Sequence, residues 1–414
     1  IVIMKKTYLI LFTMISLVFS ACEENKSIET ISEIKNPAES IADPGKLFTQ
    51  MVMENVQSSD LKQFILDNAS QRFDGDFNFL VVPAFGTETK SADAPMDVPS
   101  ALLDAIAKDD PLLQIYVLHP ECWTEDNLPL IIYLSNDFDD HKDEYIDAYT
   151  PEGEIISVKV RDEFESQAVI VVSHNERTMA VSTAIDTKSF DENVNSVYSS
   201  DYFKYYLRSD IINMDNQQSQ EQISTKASSI GDYAIAALLG SDYTSCGRMQ
   251  MYPSKDYITK VKPSSKSAWS AIEPGIMGDP ELYFYAEYGQ ALGGNYKVNK
   301  DKKYVGVGYA NRNHIVWKNV NFEMMRWSLF DNGTKMRYEW WEDDGGAIIQ
   351  HKSSISLEMP TELGKLITPD PINFEIAIGK KDDFAGSVYV YYIDENKHNY
   401  NTSYVTFELE YKKQ

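Results

Sequence analysis

Cysteine is scarce in this chain of 414 residues, which has three, so a fold held together by many disulfides is excluded. Basic residues are also few: 38 Lys plus Arg stand against 63 Asp plus Glu, giving a net charge of -25. A field of this sign repels phosphate, so we expect no nucleic-acid partner. The hydrophobic fraction of 43% and the aromatic fraction of 12% exclude a mostly disordered chain.

Several well-known catalytic and metal-binding motifs are missing from the sequence. It contains no His-Glu-x-x-His pair, no Gly-x-Ser-x-Gly elbow, no Gly-x-x-x-x-Gly-Lys loop and no Asp-x-Asp-x-Asp-Gly loop. These absences argue against the commonest zinc proteases, serine hydrolases, phosphate-binding loops and EF-hands. Function therefore has to be inferred from less specific patterns.

The first residues read as an export signal. Met4-Lys5-Lys6 supplies positive charge, and Tyr8–Phe19 is an apolar run shorter than the roughly 20 residues that a membrane-spanning helix needs. Small residues precede Cys22. The pattern predicts a signal peptide over residues 1–21 and a polar, flexible tether over residues 22–44.

Phe19-Ser20-Ala21-Cys22 resembles the lipobox of bacterial lipoproteins, although Phe19 stands where Leu, Val or Ile is usual. The resemblance implies that Cys22 is lipidated and that the lipid anchors the protein to a membrane of the cell envelope. Glu23-Glu24 resembles the acidic export tag of surface lipoproteins in Bacteroidetes, which implies an outer-membrane, surface-exposed location. The alternative is an ordinary secretion signal with an incidental cysteine.

Residues 45–186 have the pattern of an α+β domain. Apolar residues recur at helical spacing over residues 47–56, 61–69 and 102–106, which predicts three helices. Five strand-like runs follow, and Pro151-Glu152-Gly153 predicts a hairpin turn between the third and the fourth. The predicted strands are Leu112–Leu118, Leu128–Leu134, Tyr145–Tyr149, Ile155–Val160 and Ala168–Val172.

Residues 187–274 are rich in polar residues and are predicted to be a linker region with some helix, notably Tyr202–Ile212. Residues 275–414 are strand-like and aromatic. Eight short strands at this spacing predict a two-sheet β-sandwich, so the fold class is an α+β N-terminal domain followed by an all-β sandwich domain. The eight strands are Glu281–Tyr288, Lys303–Tyr309, Phe322–Leu329, Met336–Trp341, Ser353–Leu357, Ile372–Ile378, Ser387–Ile393 and Tyr404–Tyr411.

Two parts of the chain together resemble a family of uncharacterised surface lipoproteins of Bacteroidetes. They are the acidic, helical segment Asp60–Asp76 and the apolar strand that ends in Asn175-Glu176-Arg177 ahead of a linker and a sandwich. The resemblance covers most of the mature chain loosely. It implies the architecture given above and no assigned activity.

Gly278–Glu281, Trp340–Gly346 and Asp382–Gly386 follow one another in an order that is similar to the calcium-binding β-sandwiches of the synaptotagmin type. In those domains acidic loops at one end of the sandwich collect Ca²⁺. The resemblance implies Ca²⁺ as the cofactor at the corresponding end of this sandwich.

The residues themselves make such a site chemically reasonable. Calcium takes six to eight oxygen ligands, and loops that leave a sandwich at the same end converge. The metal-ligand candidates are Asp279, the pair Asp343 and Asp344, and the pair Asp382 and Asp383. The alternative is that Asp and Gly are simply turn residues in an acidic chain.

His174 and Glu176 are the catalytic candidates. They follow an apolar strand, and in an extended chain they share one face while Asn175 and Arg177 share the other. A histidine beside a carboxylate can act as a general base, which would make the protein a hydrolase. The alternative is a buried Glu176–Arg177 pair that fixes the strand end.

Cys122 and Cys246 remain if Cys22 is lipidated. In an exported protein they could form one disulfide, which would tie the first domain to the linker region. Geometry decides this pairing, and the sequence leaves it open.

Aromatic residues offer another kind of binding surface. In the strand Ser387–Ile393, Tyr389 and Tyr391 share one face, and the neighbours Trp340 and Trp341 would point to opposite faces. Exposed aromatic platforms bind sugar rings, whereas buried ones only form a core.

These observations favour a non-catalytic cell-envelope lipoprotein that binds a glycan or a protein ligand, with calcium in the sandwich loops. A hydrolase that uses His174 and Glu176 is the alternative. A deep cleft where His174 and Glu176 meet a further polar group would favour the enzyme.

Overall fold

The structure is a computed structural model, and it describes residues 41–88, 95–183, 194–200, 202–210, 229–292, 295–305, 315–344, 347–361 and 363–414. The predicted signal peptide, Cys22 and most of the predicted tether lie outside these residues. Within the described part, Asp43–Gln414 forms one compact unit.

The helices and strands are numbered here in chain order. The helices are α1 Pro44–Asn55, α2 Ser59–Ala69, α3 Val81–Glu88, α4 Ser100–Asp109, α5 Ser229–Leu239, α6 Ser241–Thr244, α7 Gly247–Gln250, α8 Lys266–Ile272 and α9 Leu329–Asn332. The strands of the first half are β1 Asn78–Leu80, β2 Leu113–Leu118, β3 Leu130–Tyr133, β4 Tyr145–Tyr149, β5 Ile155–Lys159, β6 Val169–His174, β7 Thr178–Ser182, β8 Tyr198–Ser199 and β9 Phe203–Leu207. The strands of the second half are β10 Ser254–Pro263, β11 Leu282–Leu292, β12 Asn295–Tyr304, β13 Lys318–Glu323, β14 Lys335–Glu342, β15 Ile348–Ile355, β16 Met359–Pro360, β17 Leu366–Ile367, β18 Ile372–Gly379, β19 Asp383–Tyr391, β20 His398–Asn401 and β21 Val405–Lys413.

The N-terminal domain is built on a six-stranded sheet in the order β1-β2-β6-β3-β4-β5, in which only the β3–β6 pair is parallel. Strands β2 and β6 are almost fully buried because α1, α2 and α3 pack against the sheet. On the other face, Tyr116, Ile132 and Val171 pack with Ile276, which belongs to the segment leading into β11. This contact joins the sheet to the second half of the chain.

Capping side chains mark the first two helix starts of this domain, and the predicted hairpin forms. Asp43 caps α1 by accepting a hydrogen bond from the backbone N–H of Lys46 at 2.9 Å, and Ser58 caps α2 in the same way through Leu61 at 3.3 Å. The β4–β5 hairpin forms with Tyr149 opposite Ile155. The α+β class of this domain is confirmed.

The second half is a β-sandwich of two four-stranded sheets, β13-β10-β21-β20 and β12-β11-β14-β19. Its core is aromatic: the Trp340 ring lies 4.7 Å from Phe284 and 5.3 Å from Phe407, centroid to centroid. Because Phe407 belongs to one sheet and Trp340 to the other, these rings join the two layers. The all-β sandwich class is confirmed.

The outer face of the β11–β14 sheet is covered as well. The β15–β18 pair supplies Ile376 and Ile378, which pack against Trp341 and Tyr283. Trp340 and Trp341 are therefore buried on opposite faces, at 0% and 4% exposure, and neither offers an exposed platform for a sugar ring. Glycan binding elsewhere on the surface stays a prediction.

The sandwich also includes chain that we predicted to be linker. Strand β10 lies within residues 187–274 and pairs with both β13 and β21, at the centre of its sheet. Residues Phe203–Leu207 form strand β9, paired with β7, where the sequence predicted helix over Tyr202–Ile212. The predicted helix is wrong over these residues, because their alternating pattern suits a strand and β7 is available to pair with it.

Candidate functional site

A cleft of about 640 Å³ lies between the end of β6 and the nearby end of the sandwich. His174 and Glu176 line it from the first side, and Glu281, Asp344 and Lys381 line it from the second. The structure therefore places both catalytic candidates in a cleft, together with one metal-ligand candidate.

His174 is held by a carboxylate that the sequence did not single out. Its Nδ1 lies 2.8 Å from Oδ1 of Asp110, at the end of α4, and that oxygen also accepts the backbone N–H of Leu112 at 3.1 Å. A carboxylate accepts hydrogen bonds, so a His174 ring that donates from Nδ1 to Asp110 keeps Nε2 free to take a proton. The His174 side chain is 43% exposed, so Nε2 belongs to an accessible ring.

The residues after His174 alternate between the cleft and the interior, as the sequence predicts. Asn175 and Arg177 are buried at 1% and 7% exposure, whereas His174 is exposed and Glu176 is partly buried. The predicted pairing of Glu176 with Arg177 does not form. Arg177 instead bonds to Glu281 and to Asp76, because it points to the opposite face of the chain.

A buried polar network on the interior side of the chain fixes the end of β6. The Asn175 side-chain amide donates to Oδ2 of Asp74 at 2.6 Å and to Oε1 of Gln114 at 2.8 Å. Its oxygen accepts hydrogen bonds from Arg177 N at 3.1 Å and Thr178 Oγ1 at 2.7 Å. Such a satisfied network holds His174 and Glu176 in place by fixing the backbone between them.

Arg177 connects this network to the sandwich. Its guanidinium bonds to the side chain of Glu281 and to the carbonyl of Asp279, and it lies 3.0 Å from Oδ2 of Asp76. Burial raises the pKa of Asp76 to about 7, against the lowering effect of Arg177. Gly278 has φ +118°, and a Cβ there would lie 2.5 Å from Oδ2 of Asp76, so this close approach needs glycine.

Carboxyl groups crowd the sandwich side of the cleft. Burial, followed by the nearby Asp344, Glu273 and Asp343, raises the pKa of Glu176 well above its usual range, although Lys381 opposes the shift. The raised pKa favours the protonated form of Glu176, and a protonated carboxyl group can act as a general acid.

Three glutamates lie especially close together at this end. One carboxylate oxygen from each of Glu273, Glu281 and Glu342 lies within 4.8 Å of the other two. Burial, followed by the neighbouring Asp344 and Glu273, raises the pKa of Glu342 well above its usual range.

The five aspartates that the sequence offered as metal ligands have other partners. Asp382 accepts the Tyr283 hydroxyl at 2.5 Å and the backbone N–H of Gly379 at 2.6 Å. Asp383 lies 3.0 Å from His141 and Asp343 lies 3.4 Å from Arg208. The structure brings Asp344 beside Glu342, and it places Asp279 beside Asp76. Calcium at these five residues stays a prediction.

The two remaining cysteines do not pair. Cys122 lies in a short 3₁₀ turn of the N-terminal domain, whereas the Cys246 thiol donates to the carbonyl of Tyr243 at 3.2 Å before α7. Both are free thiols in the structure, so the disulfide that the sequence left open is not formed.

The residues that sequence reasoning missed are Asp110, Glu273, Glu281 and Glu342. Asp110 is 64 positions from His174, and no local pattern links them. Glu281 and Glu342 carried a signal, because Glu281 begins one predicted strand and Glu342 directly follows another. Antiparallel pairing of those two strands places Leu282 opposite Glu342 and so brings the two glutamates together.

The pH dependence of stability should reveal the crowding of carboxyl groups on the sandwich side of the cleft. Burial raises the pKa of Asp344 to about 7 and that of Asp382 to about 6, and Glu342, Asp140 and Asp383 face the same region. The folded state thus binds protons more tightly than the unfolded state, so this stabilisation is full below about pH 4 and is lost as the pH rises through 7. We expect the melting temperature in EDTA to fall between pH 5 and pH 8. Asp344→Asn should flatten this slope, and an equal slope in both proteins would contradict the assignment.

No protein-family model, curated protein or solved structure matches the chain. In the part of the chain that the structure describes, no helix is long and apolar enough to cross a membrane.

Proposed function

We propose that the protein is a hydrolase of the bacterial cell envelope and that the cleft containing His174 and Glu176 is its active site. The observation that carries the proposal is one cleft that holds a carboxylate-oriented histidine and a carboxyl group with a raised pKa. The first can take a proton and the second can give one, which is what acid–base hydrolysis requires.

The proposed reaction is a single displacement by water. Nε2 of His174 takes a proton from water as its oxygen attacks the substrate, while Asp110 stabilises the imidazolium that forms. Glu176 gives its proton to the leaving group as the scissile bond breaks. Exchange with solvent then returns the proton from His174 and restores the proton of Glu176.

The charges of the cleft limit the substrate class. Seven acidic residues line it, Asp74, Asp110, Glu281 and Asp344 among them, and they outnumber the three cations Arg177, Arg208 and Lys381 there. Strongly anionic substrates are disfavoured, whereas neutral or cationic esters, amides and glycosides fit. Lys381 lies on the wall near Glu176 and can stabilise negative charge that develops on the substrate.

An activity screen tests the proposal. The purified protein is incubated with chromogenic esters, amides and glycosides, and the rate for any substrate that turns over is followed from pH 4 to pH 9. We expect the rate to fall as the pH rises through the raised pKa of Glu176, because Glu176 must be protonated to give its proton. Absence of turnover in all three classes would oppose the proposal.

The proposed location rests on the lipobox-like sequence before Cys22. We expect Cys22→Ala to move the protein from the membrane fraction to the soluble fraction, because the acyl chains supply the membrane affinity. Immunoblots of fractionated cells measure the distribution. Retention of the variant in the membrane would contradict lipidation at Cys22.

Binding of a protein ligand is the second candidate, and an exposed apolar surface on the β4–β5 hairpin favours it. Tyr145, Ile155 and Ile156 are 51%, 58% and 38% exposed, and β5 is the edge strand of its sheet. Exposed apolar edges are typical of surfaces that bind another chain. A photocrosslinking amino acid at Ile155 is then expected to form one discrete crosslinked product with a partner protein on cells. The same amino acid at the exposed Glu165 is the control and should form none.

A further inference from the structure

Strand pairing brings three glutamates to one point at the end of the sandwich. Glu281 immediately precedes β11 and Glu342 ends β14, and the β11–β14 register sets Leu282 opposite Glu342. Glu273 follows α8, in the segment that leads into β11. One carboxyl oxygen from each lies within 4.8 Å of the other two, so the backbone holds three carboxyl groups together.

Two of these carboxylates have a buried oxygen that no donor satisfies. Glu342 is fully buried; its Oε1 accepts the backbone N–H of Glu281 at 3.3 Å, while Oε2 has no hydrogen-bond donor in the described part of the chain. Arg177 occupies Oε1 of Glu281 and likewise leaves its Oε2 without one. A buried carboxylate oxygen needs a proton or a cation, because solvent cannot reach it.

The donor set selects the kind of cation. All three ligands are carboxylate oxygens, which suit hard divalent ions and not the softer metals that prefer sulfur or imidazole. Calcium binds oxygens at about 2.3–2.6 Å, so two of its ligands can be up to about 5 Å apart. The observed spacing within 4.8 Å falls inside that spread.

We infer that Glu273, Glu281 and Glu342 bind one divalent cation, of the calcium type, at the end of the sandwich that borders the cleft. Asp344, which lies beside Glu342, is placed to complete the coordination with water. This set differs from the aspartates Asp343, Asp382 and Asp383, whose side chains have the partners described above. The inference does not rest on the proposed hydrolysis.

The cation would also stabilise the junction between the two halves of the chain. Glu281 binds Arg177 from the N-terminal domain through one oxygen and offers the other to the metal. Binding would thus neutralise the acidic wall of the cleft and hold Glu281 in the orientation that Arg177 requires.

Calorimetric titration of the full-length protein in detergent, first stripped with EDTA and then dialysed, tests the inference with CaCl₂ as the probe. We expect one Ca²⁺ per chain. The melting temperature should rise by about 3 °C when free Ca²⁺ is 100-fold above Kd. Glu342→Gln and Glu273→Gln should each weaken binding at least tenfold, whereas Glu154→Gln, on the exposed hairpin, should leave it unchanged.

Three results would overturn the assignment. The first is no heat and no thermal shift with Ca²⁺ in the wild-type protein, which would mean that protons alone satisfy the carboxyl groups. The second is an unchanged Kd in both Glu342→Gln and Glu273→Gln. The third is loss of binding in Asp343→Asn and Asp382→Asn with both glutamine variants unaffected, which would move the site to the aspartates. Melting in EDTA tests whether each variant folds. If one of the two glutamine variants does not fold, the other one decides.

Discussion

Glutamine at His174 is expected to lower kcat/KM for hydrolysis by about 10²–10⁴-fold, the usual contribution of a general base. The amide of glutamine can still donate to Asp110, so the variant keeps the hydrogen bond but has no nitrogen that takes a proton. Initial rates from pH 4 to pH 9, on the substrate found in the screen, measure the loss.

His141 provides a matched control for this variant. It also lies against two aspartates, with Nδ1 2.9 Å from Asp140 and Nε2 3.0 Å from Asp383, but it is not among the residues that line the cleft. His141→Gln should therefore keep the rate and the pH profile of the wild-type protein. If His174→Gln retained full activity, or if both variants lost it equally, His174 would not be the base.

The course of the chain was predictable where a short apolar run marks a strand. Strands β2, β4 and β6 carry runs of apolar or β-branched residues and were found within two residues of their ends. Strand β10 was missed because Asp256 occupies an inward position in it. Asp256 is buried in an ion pair with Arg248, 3.1 Å away. No sequence pattern distinguishes such a buried pair from charges on the surface.

The candidate site was predictable only where it is local. The face shared by His174 and Glu176 follows from the two-residue period of an extended chain, and the structure confirms it. The partners of these residues come from distant elements: Asp110 from the end of α4, and Asp344 and Lys381 from sandwich loops. Their meeting depends on how the two halves pack, which composition and periodicity do not encode.

Removal of the Arg177 side chain is expected to cost about 3–5 kcal/mol of unfolding free energy, the range for breaking a buried ion pair on one side. Arg177→Met preserves most of the side-chain volume but leaves Asp76 and Glu281 without their buried cation. The carbonyl of Asp279 also loses its donor. Urea unfolding at pH 7.5, followed by tryptophan fluorescence and far-UV circular dichroism, measures the change.

The loss of unfolding free energy in Arg177→Met should depend on pH, and the direction of that dependence identifies its cause. Burial already raises the pKa of Asp76 to about 7, and loss of Arg177 raises it further, so the carboxyl takes up a proton when the pH falls to 5. The deficit of Arg177→Met should then shrink, and adding Asp76→Asn should recover part of it at pH 7.5. Arg161→Met is the matched control, because Arg161 pairs with Asp140 at 2.7 Å on an exposed surface and should cost about 1 kcal/mol or less. A deficit that did not change with pH would mean that lost packing destabilises the variant, and not the buried carboxylates. Arg177 would then act as a spacer between the two halves of the chain.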